Sequence, residues 1–242
     1  MRRIFLWQKI AELNSMRCNV EGADMQHAWQ EVDEYLERCL ARQDDNLAQT
    51  LALNTERGLP AFDVSPLQGQ FLTLMAQISG ARRVLEIGTL GGFSTQYLAR
   101  ALPEDGRVVT LEKEPANAAV AQENLQRAGL LDRVSIVVGA AAQTLPTLQS
   151  QPPFDLTFID ADKQNSLLYL QWAIKLSRTG SVIIMDNVVR GGAIVAAQRD
   201  VHAEGIRQAL EAVQNMPALS GTAFQTVGEK GWDGFAVLRV EK

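Results

Sequence analysis

The sequence predicts an α/β fold: a doubly wound, mostly parallel seven-stranded sheet with an antiparallel hairpin at its C-terminal edge and a helical N-terminal extension. Two observations carry this expectation. Five short apolar runs alternate with helical stretches through the middle of the chain, the pattern of strands buried on both faces and joined by crossover helices. Two further runs near the C-terminus are separated by "GEKGWDG", which reads as an antiparallel hairpin added at an edge.

From Asp24 to about Glu56 the chain is rich in Ala, Leu, Glu and Gln. Trp29, Val32, Tyr35, Leu36 and Leu40 recur there at three- and four-residue spacing, so an amphipathic helical region is expected. The breaker-rich "RGLPAFDVSP" ends it. A helix from about Leu67 to Ile78 then puts Phe71, Leu72, Met75 and Ile78 on one face before "SGA" stops it. The strands follow as "RVLEI" (83–87), "RVVTLE" (107–112), "RVSIVV" (133–138), "FDLTFI" (154–159), "SVIIM" (181–185), "TAFQTV" (222–227) and "FAVLRV" (235–240). Helices are expected between the first five, at about 93–102, 115–128, 141–149 and 165–177.

Composition narrows the function. At 242 residues the chain is long enough for one sizeable core, and the expected division is a possible extension over 1–24 and a single domain over 25–242. A net charge of -5 without a long basic run argues against nucleic acid or anionic lipid as a partner. Cys18 and Cys39 form neither a disulfide framework nor metal-ligand spacing, which points to a reducing, cytoplasmic compartment. "MRRIFLW" imitates the start of a secretory signal, but its apolar run is too short. No stretch of about 18 apolar residues suggests a membrane partner.

In an open α/β sheet ligands bind beyond the carboxyl ends of the strands, so the residues after each strand matter most. After the first strand comes "EIGTLGGFSTQYL". Its glycine spacing differs from that of a dinucleotide fold, with Leu90 where the second glycine would stand. Glu86 closes the strand ahead of the turn, where an acidic group suits a cationic ligand. Glu112 closes the next strand, where a carboxylate accepts hydrogen bonds from both ribose hydroxyls. Together they suggest S-adenosylmethionine; the bland alternative is a tight turn with two solvated glutamates.

A second constellation sits at the same edge. "FIDADK" ends one strand and "IIMDN" another, so Asp160, Asp186 and Asn187 are expected within reach of one ion. Two carboxylates and an amide carbonyl are hard oxygen ligands, suited to Mg²⁺ and also to Ca²⁺ or Mn²⁺. A neighbouring cation and partial burial both disfavour the charged form of Lys163, which moves it toward use as a general base. Asp162 is expected to cap the following helix. Trp172 is expected in the core, Trp232 is open between an acceptor wall and a turn residue, and His27 and His202, alone on helical stretches, carry no catalytic expectation.

"LEIGTLGGFST", the acidic residue of "TLEKE", "FIDADK" and "IIMDNVVRGG", in this order, resemble the cation-dependent class I O-methyltransferases, the catechol and caffeoyl-CoA O-methyltransferase family with its bacterial branch. The likeness runs from about Val64 to "GEKGWDGFAVL". It implies a Rossmann-like methyltransferase domain with cofactor contacts at Val64, Glu86, Gly88, Thr89, Ser94, Glu112, Ala141 and Asp160. It also implies metal ligands at Asp160, Asp186 and Asn187, catalysis by Lys163 with Asp160, an aromatic diol as acceptor, and a homodimer. The helical N-terminal region would serve the dimer contact or close over the active site. Alternatives are a metal-independent small-molecule methyltransferase and a non-catalytic S-adenosylmethionine-binding protein. Two positions depart from the family: "GAAAQ" offers only a backbone N–H at Ala141, and Ser166 stands where a tyrosine is frequent.

Overall fold

A computed structural model of the protein describes residues 22–41, 44–196 and 200–241. Most of the expected extension, with Cys18, lies outside the described residues. The elements run α1 (Gly22–Leu40), α2 (Asp45–Glu56), α3 (Pro66–Ile78), β1 (Arg83–Ile87), α4 (Phe93–Ala101), β2 (Arg107–Glu112), α5 (Pro115–Arg127), β3 (Val134–Val138), α6 (Ala141–Thr144), β4 (Phe154–Ile159), α7 (Ser166–Lys175), β5 (Ser177–Asp186), α8 (Val201–Val213), β6 (Leu219–Gly228) and β7 (Gly231–Val240).

The sheet has seven strands in the order β3-β2-β1-β4-β5-β7-β6. β1 to β5 pair in parallel; β7 joins β5 antiparallel and forms a hairpin with β6. Central β4 is buried at every position, which is why it reads as an unbroken apolar run. Alternate residues feed opposite layers. Leu85, Ile87, Leu111 and Ile183 pack toward Tyr169, Leu170 and Ile206. Val84, Val108, Phe158 and Ile184 pack toward Leu72, Phe93 and Leu98.

The expected helical stretch from Asp24 to Glu56 is two helices. Asp44 starts the second by accepting the Leu47 N–H at 3.0 Å. The expected helix at 141–149 is α only to Thr144 and then a 3₁₀ turn over Leu145–Leu148, because Pro146 has no N–H to continue the ladder. β6 and β7 are longer than their apolar runs, since a hairpin extends through polar residues, and β5 begins earlier, at Ser177, across a register shift against β4. α8 covers the stretch carrying His202. α1 lies against β6 and α3, with Asp33 accepting the Glu229 N–H at 2.8 Å. Among the described residues no helix is long and apolar enough to cross a membrane.

Candidate active site

A cavity of about 740 Å³ opens at the carboxyl edge of the parallel strands. The chain order reverses there, between β1 and β4, which is where open α/β sheets bind ligands. Glu112 and Ala140 to Ala142 line one end; Asp160, Lys163, Asn187 and Arg190 line the other. β2 and β5 are three strand spacings apart, so the two ends are separated by about 14 Å at about 4.8 Å per spacing.

The first end is built on the glycine loop. Gly88 has φ +104, and a Cβ there would stand 2.5 Å from the Asp160 carbonyl oxygen, so only glycine lets β1 turn this close to β4. Glu112, 7% exposed, binds the loop: one oxygen accepts the N–H groups of Leu90 at 2.8 Å and Thr89 at 3.3 Å. Its other oxygen accepts the Glu114 N–H at 2.9 Å. Leu90, at φ +50, is held in the left-handed region by this contact, which explains how a non-glycine fills that place. Ala141 lines the cavity at the first position of α6.

Glu86 lies elsewhere than its expected role suggests. It shares the strand face of Val84, toward α4, and is fully buried behind the cavity wall rather than lining it. Its carboxyl accepts the hydroxyls of Ser94 at 2.6 Å, Thr110 at 2.6 Å, and Thr95. Burial pushes its pKa up to about 7 against the lowering effect of those three hydroxyls, with a smaller upward contribution from Asp160. Ser94 and Thr89 do line the cavity, so Glu86 reaches it through Ser94.

At the second end the Lys163 ammonium donates to Asp160 Oδ1 at 2.7 Å, with both side chains largely buried. Asp186 is reached from β5. Its Oδ1 accepts the Gln68 amide at 2.6 Å and the Asn187 N–H at 2.8 Å, and it sits behind the lining rather than in it. Burial, and next the charge of Asp160, push its pKa well above the usual carboxylate range. Among the described residues no hydrogen bond reaches Oδ2 of either aspartate. Among the described residues no three or more His, Cys, Asp or Glu are grouped so as to hold a metal ion by themselves. A cation would therefore rest on two carboxylates, the Asn187 carbonyl, and water or substrate. The chemistry fits: hard oxygens, and a pair of like charges in low dielectric that a divalent ion would offset.

Asp162 does not cap. It accepts the Tyr169 hydroxyl and the Asn165 amide instead, because the next turn is 3₁₀ and brings those groups back onto it. Burial, then the Asp162 contact, raise the Tyr169 pKa and keep it a donor. Ser166 is buried and donates to the Lys163 carbonyl at 2.7 Å, so a hydroxyl on that side chain ties the turn internally. Gly205 of α8 packs on the same turn; a Cβ there would stand 2.4 Å from the Lys163 carbonyl oxygen.

Val64 lines the cavity from the segment before α3, beside Phe62 and Asp63. Asn54 of α2 donates to Asp63 at 2.9 Å and accepts from Asn124, which also reaches the Gly91 carbonyl, so one polar chain joins this segment to the glycine loop. Sequence reasoning assigned no role to Gln68, Tyr169 or Arg190, although Arg190 lies inside the quoted "IIMDNVVRGG". His202 lines the cavity, whereas Trp232 does not: it packs against Gly192 and donates to Gln225 at 2.9 Å. Trp172 is partly buried against the core, as expected.

A parallel five-strand core with an antiparallel terminal hairpin, a glycine loop closed by a carboxylate on β2, and a cleft at the switch point define an S-adenosylmethionine-dependent methyltransferase. The family model described as "O-methyltransferase" matches residues 37–219. A catechol O-methyltransferase of Mycobacterium tuberculosis is 54% identical over 219 residues, covering 90% of this chain and 99% of that protein. A second, from Niastella koreensis, is 44% identical over 88% of this chain and 98% of its own. The crystal structure of an O-methyltransferase from Bacillus cereus in complex with SAH superposes with a TM-score of 0.87 at 49% identity, covering 89% of this chain and 99% of that one. The chain belongs to the O-methyltransferase family.

Proposed function

We propose that the protein transfers a methyl group from S-adenosylmethionine to one hydroxyl of a catechol-like small molecule, with a divalent cation, Mg²⁺ foremost and Ca²⁺ or Mn²⁺ as alternatives. The observation that carries the reading is the cluster of Asp160, Lys163, Asp186 and Asn187 at one end of a cavity whose other end is closed by Glu112. The names and the bound SAH of the relatives support it.

In this reading Val64, Gly88, Thr89, Ser94, Glu112, Ala141 and Asp160 hold the cofactor, and Glu86 acts on it through Ser94. Glu112 has lone pairs beyond those engaged by the loop N–H groups, which suits ribose hydroxyls. Asp160, Asp186 and Asn187 would hold the cation, which supplies charge stabilisation to an ionising phenol. Lys163, in its neutral amine form, takes the phenol proton at Nζ and becomes the ammonium; Asp160 Oδ1, 2.7 Å away, holds that atom in the cleft. The walls hold the two reactants at near-attack distance, the source of most of the rate gain. A cytoplasmic homodimer belongs to the same reading, and exposed Val32, Tyr35 and Leu40 on α1 offer apolar surface for it.

The test is transfer of labelled methyl to a panel of catechols and hydroxycinnamoyl esters, with chelator and after adding back each cation. Turnover that collapses in chelator and returns with Mg²⁺ supports the reading; full activity in excess chelator would sink the cation requirement.

A further inference from the structure

We infer that Arg190 is the anion-recognising residue at the acceptor end of the cavity, so that the enzyme prefers catechols carrying a ring carboxylate to their uncharged counterparts. The inference deepens the catechol reading and rests on it. Arg190 lines the cavity three residues beyond Asn187 and at the same end as Lys163. Its Nε is buried without a hydrogen-bond partner, and no hydrogen bond or ion pair engages its guanidinium among the described residues. A guanidinium without a hydrogen-bond partner in the protein keeps its charge for a ligand in the cavity, and a planar carboxylate is the group whose geometry matches it.

The backbone is shaped to hold that side chain in place. Arg190, Gly191 and Gly192 lie in succession at φ +52, +60 and +84. A left-handed arginine is uncommon and persists only where the surroundings enforce it. Asp233 of β7 enforces it: its Oδ1 accepts the N–H groups of Val189 at 3.1 Å and Arg190 at 2.9 Å. The Val188 N–H adds a bond to the Gly234 carbonyl at 2.9 Å, and the Trp232 ring closes against Gly192. The loop that follows Asp186-Asn187 is thereby clamped to the hairpin.

Nearby acids leave the guanidinium available. Asp162 is occupied by Tyr169 and Asn165. Asp200, exposed at the start of α8, accepts the Ala203 N–H at 2.7 Å and feels the Arg190 charge, but no hydrogen bond or ion pair joins the two. His202, also in the cavity wall, adds a second group able to donate to an anion.

The experiment compares 3,4-dihydroxybenzoate with its methyl ester in the wild type, Arg190→Gln and Arg190→Lys. KM and kcat are measured for each, and binding of each compound to the enzyme saturated with S-adenosylhomocysteine is followed by calorimetry. A charge-assisted pair predicts a KM and Kd about tenfold lower for the acid in the wild type. That ratio should shrink with added salt, fall to about one in Arg190→Gln, and recover in part in Arg190→Lys. Equal affinity for acid and ester in the wild type, or a preference kept by Arg190→Gln, overturns the inference; the latter result would place the carboxylate on another group. Absence of methyl transfer to both compounds would instead count against the catechol reading, and the calorimetric ratio would still decide the role of Arg190.

Discussion

Glu86 gives the sharpest physical test of the architecture, because a fully buried carboxyl ties stability to pH. Its folded pKa of about 7 lies above its ordinary value of 4.5. The native state thus binds a proton that the unfolded state has released between those limits, and stability falls as pH rises through that window. The full shift corresponds to roughly 3 kcal/mol at 1.36 kcal/mol per pKa unit. One unit of the window lies below about pH 5.5, so about 2 kcal/mol is lost from about pH 5.5 to about pH 8.5. Glu86→Gln cannot ionise and keeps the side chain's shape. Urea unfolding of both proteins across that range, without cofactor or metal, isolates the slope, since other titrating groups are common to both. The difference should tilt by about 2 kcal/mol toward the glutamine variant as pH rises. Parallel stability curves would show that the Ser94, Thr95 and Thr110 hydroxyls stabilise the carboxylate fully, and the burial argument would be wrong.

Three other substitutions probe the two ends of the cavity. Asp160→Ala should abolish cation-dependent methyl transfer while the Kd for S-adenosylmethionine changes far less, read by turnover and calorimetry together. Glu112→Gln weakens acceptance of the Thr89 and Leu90 N–H groups and should raise the Kd for S-adenosylmethionine about tenfold. Gly205→Ala forces a Cβ against the backbone of Lys163 and Gln164, and should cost about 1–3 kcal/mol in urea unfolding and lower kcat by shifting the lysine turn.

The strand limits were legible because strands buried on both faces leave short apolar runs, and β1, β2 and β4 match their predicted limits. The positions of Asp160, Lys163 and Asn187 followed, since side chains at strand ends share an edge wherever the strands are parallel neighbours. What the sequence hid depends on direction and distance. Glu86 points into a helix layer, and that parity shows only once Val84 and Leu85 are assigned to opposite cores. Gln68 meets Asp186 across 118 positions of chain. Arg190 became visible only through its backbone angle and the Asp233 clamp, neither of which leaves a periodic trace.

Asp160 explains why one short charged turn divides into separate roles. Its backbone N–H bonds the Ile87 carbonyl at 2.8 Å, and its own carbonyl faces Gly88, so the residue is fixed to the loop that ends β1. Its side chain pairs with Lys163, and its charge raises both Glu86 and Asp186, one behind each end of the cavity. Asp162, two residues on, is drawn away by Tyr169 and contributes to the fold of the turn. A charge placed where β1 and β4 meet acts on both ends at once, which no residue at the outer strands of the sheet is positioned to do. The same position makes Asp160 the poorest site in the cavity to conserve charge while changing shape. An Asp160→Glu variant, longer by one methylene between a fixed backbone and a fixed lysine, should lose activity nearly as fully as Asp160→Ala. If it instead kept most of its turnover, charge alone rather than the anchoring of the turn would account for the residue.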